Sequence, residues 1–349
     1  MDVRRTRRTA AATGAGLLTL LASSGIASAQ PSDGRTIYGV TSNGNRLVSF
    51  PANDPGAAKP VLNINGGAII GIPFTERVVG IDFRPVDGVL FALTTDGMGT
   101  TNSQTGTGRL YTVNKTTAVA TLVNTLTVQL SGAFYDIGFN PVANELRVVS
   151  SSGQNLRVGT GGTGTTTADS ALAYASGDTN AGTSPRVAGV DYTPASGSAT
   201  TLYDVDYGVD ALSRQGAVGG GTAGTAASPN SGVLTTVGTT GLGVNVTNLL
   251  GVDYEVDGTG YASAQTVDPG SGGVSPGTTL FTINNATGKL TPIGAVAGDL
   301  LDSIAIDTAA GTPPAAMPEF GVAALAPISA IALAGSVVVI RRRRHAEEV

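Results

Sequence analysis

Cysteine is absent from the 349 residues, which excludes disulfides, thiol nucleophiles, zinc ribbons and iron–sulfur clusters. Histidine is nearly absent too. Its single copy, His345, lies in the basic C-terminal tail, so the body of the chain can build neither a Ser-His-Asp triad nor a histidine metal site. Charged residues make up 13% of the chain, against about 25% in an ordinary globular domain, and hydrophobic residues 41%. That balance excludes a charge-rich disordered chain and leaves enough apolar surface for a core. Positive charge is scarce where it would matter. Arg4, Arg5, Arg7 and Arg8 stand at the start and Arg341 to Arg344 at the end, and between residues 30 and 340 the other 12 Lys and Arg face 22 Asp and Glu. Phosphate backbones are bound by Lys and Arg that displace counterions, so this acidic middle excludes nucleic acid as a partner.

What is abundant is glycine, 50 residues without the three-residue period of collagen, which indicates a turn-rich, all-β protein. The Gly-rich tracts at 159–167 and 219–221 are flexible loops rather than phosphate cradles, because no Gly-Lys-Ser/Thr follows either one.

The two ends carry export signals. Residues 1–29 combine a basic start, an apolar stretch from Ala10 to Leu21 and the small residues Ala27-Ser28-Ala29, a signal peptide with cleavage between Ala29 and Gln30. The early arginine pairs leave both the general and the twin-arginine export routes open. Residues 308–319 form a Pro/Ala linker, and residues 320–340 are uncharged and long enough to cross a hydrocarbon core of about 30 Å as one transmembrane helix. Four arginines then open the tail at 341–349. The positive-inside rule keeps that tail cytoplasmic and places residues 30–307 on the extracellular face of the membrane. Pro318-Glu319-Phe320-Gly321, followed by the apolar span and the basic end, resembles the sorting tails read by exosortase- and archaeosortase-type membrane transpeptidases. The resemblance implies a membrane transpeptidase as a partner, and single-pass retention is the alternative to sorting.

Five segments share an apolar-x-apolar core: VVGIDFRPVDG (78–88), FYDIGFNPVAN (134–144), VAGVDYTPASG (187–197), LLGVDYEVDG (249–258) and LLDSIAIDTAAG (300–311). Aligned on Phe83, Phe139, Tyr192, Tyr254 and Ile306, they are 56, 53, 62 and 52 residues apart. That period fits four-stranded propeller blades. The N-terminal unit (36–42, 46–52 and 59–65) has three strands and no leading core segment, whereas the last core segment has no strands after it. The split predicts a five-bladed β-propeller over 30–307, closed by pairing the C-terminal strand with the N-terminal blade so that no sheet edge stays open.

GIDFRP (80–85), RVVSSSGQNLRV (147–158), the stretch 171–193 and TLYDVD (201–206) resemble the secreted bacterial family filed as domain of unknown function 4394. The resemblance implies secretion and a propeller-like β fold, and it brings no activity and no catalytic residue.

Three groups of side chains are candidates for chemistry. Asp253, Glu255 and Asp257 alternate and would share one face of a strand as oxygen ligands suited to calcium, although a solvated strand face ending in an Asp-Gly turn is the plainer reading. No other cofactor is indicated. Asp204, Asp206 and Asp210 form a second acidic cluster. Arg84, Arg147, Asn155 and Arg157 are candidates for binding an anionic ligand, since arginine forks grip carboxylates and phosphates, while turn carbonyls and ion pairs within the fold offer them a structural use. Two functions from different classes fit this inventory. One is a surface-anchored binding or structural propeller, not an enzyme, whose partner is an extracellular ligand or envelope component. The other is a carbohydrate-active enzyme that needs only two carboxylates, with Asp82, Asp136 and Asp191 among those available. Asp82, Asp191 and Asp253 recur at equivalent positions, which favours a structural role in each blade.

Overall fold

The computed structural model describes residues 35–42, 45–61, 66–97, 104–222 and 224–307. The signal peptide with its Ala29–Gln30 site, the 308–319 linker, the motif Pro318 to Gly321, the 320–340 span and the 341–349 tail lie outside them. No helix of the described residues is long and apolar enough to cross a membrane.

Each shared core segment forms the innermost strand of one antiparallel sheet: Arg77–Arg84, Tyr135–Phe139, Val187–Tyr192, Asn245–Tyr254 and Leu301–Ile306. Their central residues are buried on both faces, which is why these segments read as near-continuous apolar runs. The second blade continues outward through Val89–Thr95, Gly108–Val113 and Ala120–Thr125, and the third through Leu146–Ser150, Asn155–Val158 and Thr166–Ala168. The fourth runs through Leu202–Asp206, Ala211–Gln215 and Val233–Thr239, and the fifth through Gly260–Val267, Thr279–Ile283 and Leu290–Ala295. An outer strand, Ala173–Tyr174, adds to the fourth blade in parallel, a long-range pairing with no local turn signal in the sequence.

The first blade is assembled from both ends of the described chain. Leu301–Ile306 pairs with Thr36–Thr41 in the register Ile37↔Ile306 and Tyr38↔Ala305, followed outward by Leu47–Pro51 and Lys59–Pro60. The five-bladed arrangement and the closure at this seam are those expected from the split repeat.

Apolar clusters fill the spaces between blades. Ile81, Phe83, Leu90 and Tyr111 pack with Val40, Leu47 and Ala305, joining the first and second blades. Phe91 and Leu93 meet Ile137, Phe139 and Val148 between the second and third, with Phe91 and Phe139 edge to face at 5.2 Å. The interface between the third and fourth blades differs. Within its apolar cluster Val149 is the one residue from the strands of the third blade, and a buried polar network covers the rest.

Candidate functional site

The inner strands approach closely along the axis, and two positions of the repeat govern how they meet. One residue before the aligned aromatic or Ile stand Asp82, Gly138, Asp191, Asp253 and Ala305, and two residues earlier stand Gly80, Asp136, Gly189, Gly251 and Ser303. The third blade therefore exchanges the acid and the glycine.

The exchange has a structural cause. A Cβ on Gly138 would stand 2.5 Å from Asp191 Oδ1 and 2.9 Å from its Cα, so an acid at 138 could not coexist with Asp191. Placed instead at 136, the carboxylate becomes the axle of the ring. Asp136 Oδ2 accepts hydrogen bonds from the backbone N–H of Val190 at 3.0 Å and of Val252 at 3.1 Å, and Oδ1 accepts from Ser303 Oγ at 2.9 Å. Ser303 Oγ in turn accepts from Ile81 N–H at 3.1 Å. One fully buried chain of four hydrogen bonds thus touches the inner strands of all five blades. Burial pushes the Asp136 carboxyl well above the usual carboxylate range, and the three donors together with the N–H of Ile137 oppose that rise.

The other acids clasp neighbouring blades. Asp82 Oδ2 accepts from Phe139 N–H at 2.6 Å, Asp191 Oδ2 from Tyr254 N–H at 2.9 Å, and Asp253 Oδ2 from Ile306 N–H. Each clasp pairs the acid of one blade with the aromatic or Ile position of the next. The structural role expected from their recurrence is present in the geometry.

The same three side chains also line a cavity of about 490 Å³ at the end of the inner strands. Its wall is built from Phe83, Phe139, Tyr192 and Tyr254, and from the segments that follow the inner strands, with Pro85, Val86, Pro141, Pro194, Ala195 and Val256. Val86 and Val256 stand largely exposed. Among the described residues no Lys or Arg lines this cavity. Burial raises Asp82 and Asp191 well above the ordinary carboxylate value, and the charge of Asp253 adds to both. Burial also pushes Asp253 up to about 6, and a hydrogen bond with Asp191 opposes the shift. Asp191 and Asp253 are thus neighbouring buried acids, both shifted upward, that share the N–H of Tyr254. The sequence had offered Asp82 and Asp191 both as carboxylates available to a carbohydrate-active enzyme and as recurring structural residues of the blades. The available signal was that they are the polar exceptions in otherwise apolar strands, at the position just before the strand end.

The arginine candidates are placed as follows. Arg147, Asn155 and Arg157 come together around Asp169. Fully buried Arg147 donates to Asp169 Oδ2 and Asn230 Oδ1, both at 2.7 Å, to Asn155 Oδ1 at 2.8 Å and to Tyr192 Oη at 3.3 Å. Arg157 grips both oxygens of Asp169, at 2.8 and 3.0 Å, and reaches Glu145 at 3.2 Å. Their donors are thus engaged inside the fold, beside a small cavity of about 140 Å³ that both side chains line with Glu145, Tyr192 and Asn230. Arg84 stands apart, paired with Asp87, bonded to Thr160 Oγ1 at 3.0 Å and lying over the Phe91 ring.

The structure does not bring Asp253, Glu255 and Asp257 together. The strand ends at Tyr254, so the alternation that would align them stops there. Asp253 turns to the axis, buried Glu255 pairs with Arg35 Nε, and Asp257 accepts from Thr259 N–H at 2.8 Å in the turn. Among the described residues no three His, Cys, Asp or Glu side chains are grouped to hold a metal ion.

Solved structures similar to the chain include the following two. The periplasmic gluconolactonase PpgL of Pseudomonas aeruginosa is 13% identical with a TM-score of 0.39, over 78% of this chain and 99% of its own. The dihydro-heme d1 dehydrogenase NirN in complex with DHE is 10% identical with a TM-score of 0.32, over 76% of this chain and 54% of its own. No curated protein matches the sequence. Residues 30–305 match the family described as Domain of unknown function (DUF4394), and the chain belongs to that family.

Proposed function

We propose that the protein is an exported propeller, anchored at the cell surface, that binds a small extracellular ligand or envelope component in the axial cavity. The observation that carries this reading is the cavity itself, with three buried carboxylates from three blades, no basic side chain among the described residues of its lining, and an apolar rim of proline and valine. Such a lining favours a ligand that presents hydrogen-bond donors or positive charge to Asp82, Asp191 and Asp253 and apolar surface to Pro85, Pro141 and Pro194. The signal peptide, the uncharged span and the arginine clamp supply the location, and the Pro318–Gly321 motif supplies a membrane transpeptidase as a partner in sorting. The test is a thermal-shift screen of the full chain against sugars, amino sugars, amino acids and polyamines. A ligand that raises Tm in the wild type and fails to do so in Asp191→Asn or Asp253→Asn supports the site, and a hit indifferent to both variants removes it.

A second reading rests on the Asp191–Asp253 pair. Two neighbouring buried carboxyl groups that open on a cavity are the kind of arrangement a carbohydrate-active enzyme uses to protonate a leaving group and stabilise or attack the sugar. Turnover of aryl glycosides that disappears in both variants would select the enzyme, and binding without turnover would select the receptor.

A further inference from the structure

The polar face of the fourth blade carries buried acceptors that nothing in the fold satisfies. Asp204, Ser213 and Gln215 lie on one face of two paired strands, since Asp204 is opposite Ser213 and Gln215 is two residues further along the same strand. All three are fully buried. Gln215 Nε2 donates to Asn155 Oδ1 at 3.1 Å and to the Pro229 carbonyl at 2.6 Å, so this face is turned toward the third blade. Both oxygens of Asp204 and Oε1 of Gln215 have no hydrogen-bond partner, while Ser213 Oγ faces the Tyr174 hydroxyl. Among the described residues neither Asp204 nor its neighbour Asp206 is in an ion pair. Asp206 is satisfied by the Tyr174 hydroxyl at 2.8 Å and by the N–H groups of Arg186 and Gly208, whereas Asp204 receives nothing.

We propose that this seam holds one hard, oxygen-seeking cation, liganded by Asp204, by Gln215 Oε1 and by Ser213 Oγ. The orientation of the Gln215 amide is fixed by chemistry rather than by convention. The Pro229 carbonyl can only accept, so the nitrogen must face it and the oxygen must face the other way. Three carboxylate and amide oxygens then lack a donor, and a proton on Asp204, even if given to Gln215 Oε1, would leave its second oxygen without one. A cation serves all of them at once and adds to the partial compensation that the charge of Arg147 gives Asp204. Arg147 does not fill this role, because its donors are directed to Asp169, Asn155, Asn230 and Tyr192. Oxygen-only ligands, one of them a carboxylate, select calcium or sodium over the softer metals. This site is separate from Asp253, Glu255 and Asp257, and from the axial cavity.

The test uses the full chain, freed of metal with EDTA and passed through gel filtration after exposure to calcium. Elemental analysis is expected to show one calcium per chain, with Tm rising by about 5 °C or more at saturating calcium. Asp204→Asn, nearly the same shape, is expected to abolish uptake, Ser213→Ala to weaken the calcium affinity several-fold, and Asp257→Asn to leave it unchanged. A rise in Tm with sodium chloride over choline chloride, lost in Asp204→Asn, would assign the same ligands to sodium. Absence of uptake and of any shift with either cation would overturn the proposal. So would uptake that survives Asp204→Asn, or a stabilising Asp204→Leu that leaves the calcium response intact.

Discussion

Asp136 shows how much of this fold hangs on one side chain. Its carboxylate is the single acceptor for two other blades and, through Ser303, is linked to the remaining two. Asp136→Ala leaves two buried N–H groups and a hydroxyl without their acceptor, and a loss of about 3–5 kcal/mol is expected in urea unfolding, with Asp136→Asn losing less. A loss under 1 kcal/mol for the alanine variant would show that water replaces the carboxylate at the axis. Gly138 is the necessary counterpart. Gly138→Ala forces a methyl against Asp191 Oδ1 and the Asp191 backbone, for which a loss of about 1–3 kcal/mol is expected, accompanied by a disturbed axial cavity. The control is Gly161→Ala, where an added Cβ meets nothing within 4 Å and stability should hardly change.

At the level of the inner strand, buried acids make stability fall as pH rises. Asp302, in the strand that closes the ring, is pushed by burial from 3.8 up to about 6, with Arg77 at 3.6 Å opposing the shift. Below pH 4 the group is neutral in both states. Between pH 4 and 6 the unfolded chain gives up the proton while the folded chain keeps it, so this contribution to stability is complete below pH 4 and is lost as pH rises through 6. The shift corresponds to about 3 kcal/mol, and Asp253 acts in the same direction over the same window. Urea unfolding at pH 4.5 and 7 should show a smaller fall for Asp302→Asn than for the wild type, and equal falls would mean that Asp302 is ionised in the fold. This level also shows what the sequence could disclose. The inner strands were legible because burial on both faces gives them an unbroken apolar pattern closed by an aromatic, and because the pattern recurs at blade spacing. The polar seam was legible only as the acidic cluster Asp204, Asp206 and Asp210, not as an interior. Leu202-Tyr203-Asp204-Val205-Asp206 alternates as a half-solvated strand does, and only the approach of the third blade turns its acidic face into an interior. Asp136 was equally hidden, since a displacement of two residues within one repeat looks like ordinary variation until the strands are set around an axis.

For the whole molecule, closure at the seam was legible from the incomplete first and last units, and it can be tested directly. Truncation after Asp299 removes Leu301–Ile306, exposes the edge of Thr36–Thr41 and deletes the Ser303 link to Asp136 and the acceptor side of the Asp253 clasp. Aggregation or a Tm lower by more than 10 °C is expected on light scattering and calorimetry, about the effect of losing several kcal/mol from a domain of this size. An unchanged melting transition would show that the other four blades hold the arc without the last strand.

The seam also imposes an order in time. Translation runs from the N-terminus, so Thr36–Thr41 leaves the ribosome long before Leu301–Ile306. For the whole interval between them, the first strand of the ring has no inner partner and Asp136 has no hydroxyl to accept from. The contact that completes the molecule joins residues more than 260 positions apart, and such contacts form slowly because the loop must close before it is rewarded. The first blade is thus the last to exist. Until then an unpaired, apolar edge is exposed on every nascent copy, and a cell making this protein must hold those edges apart.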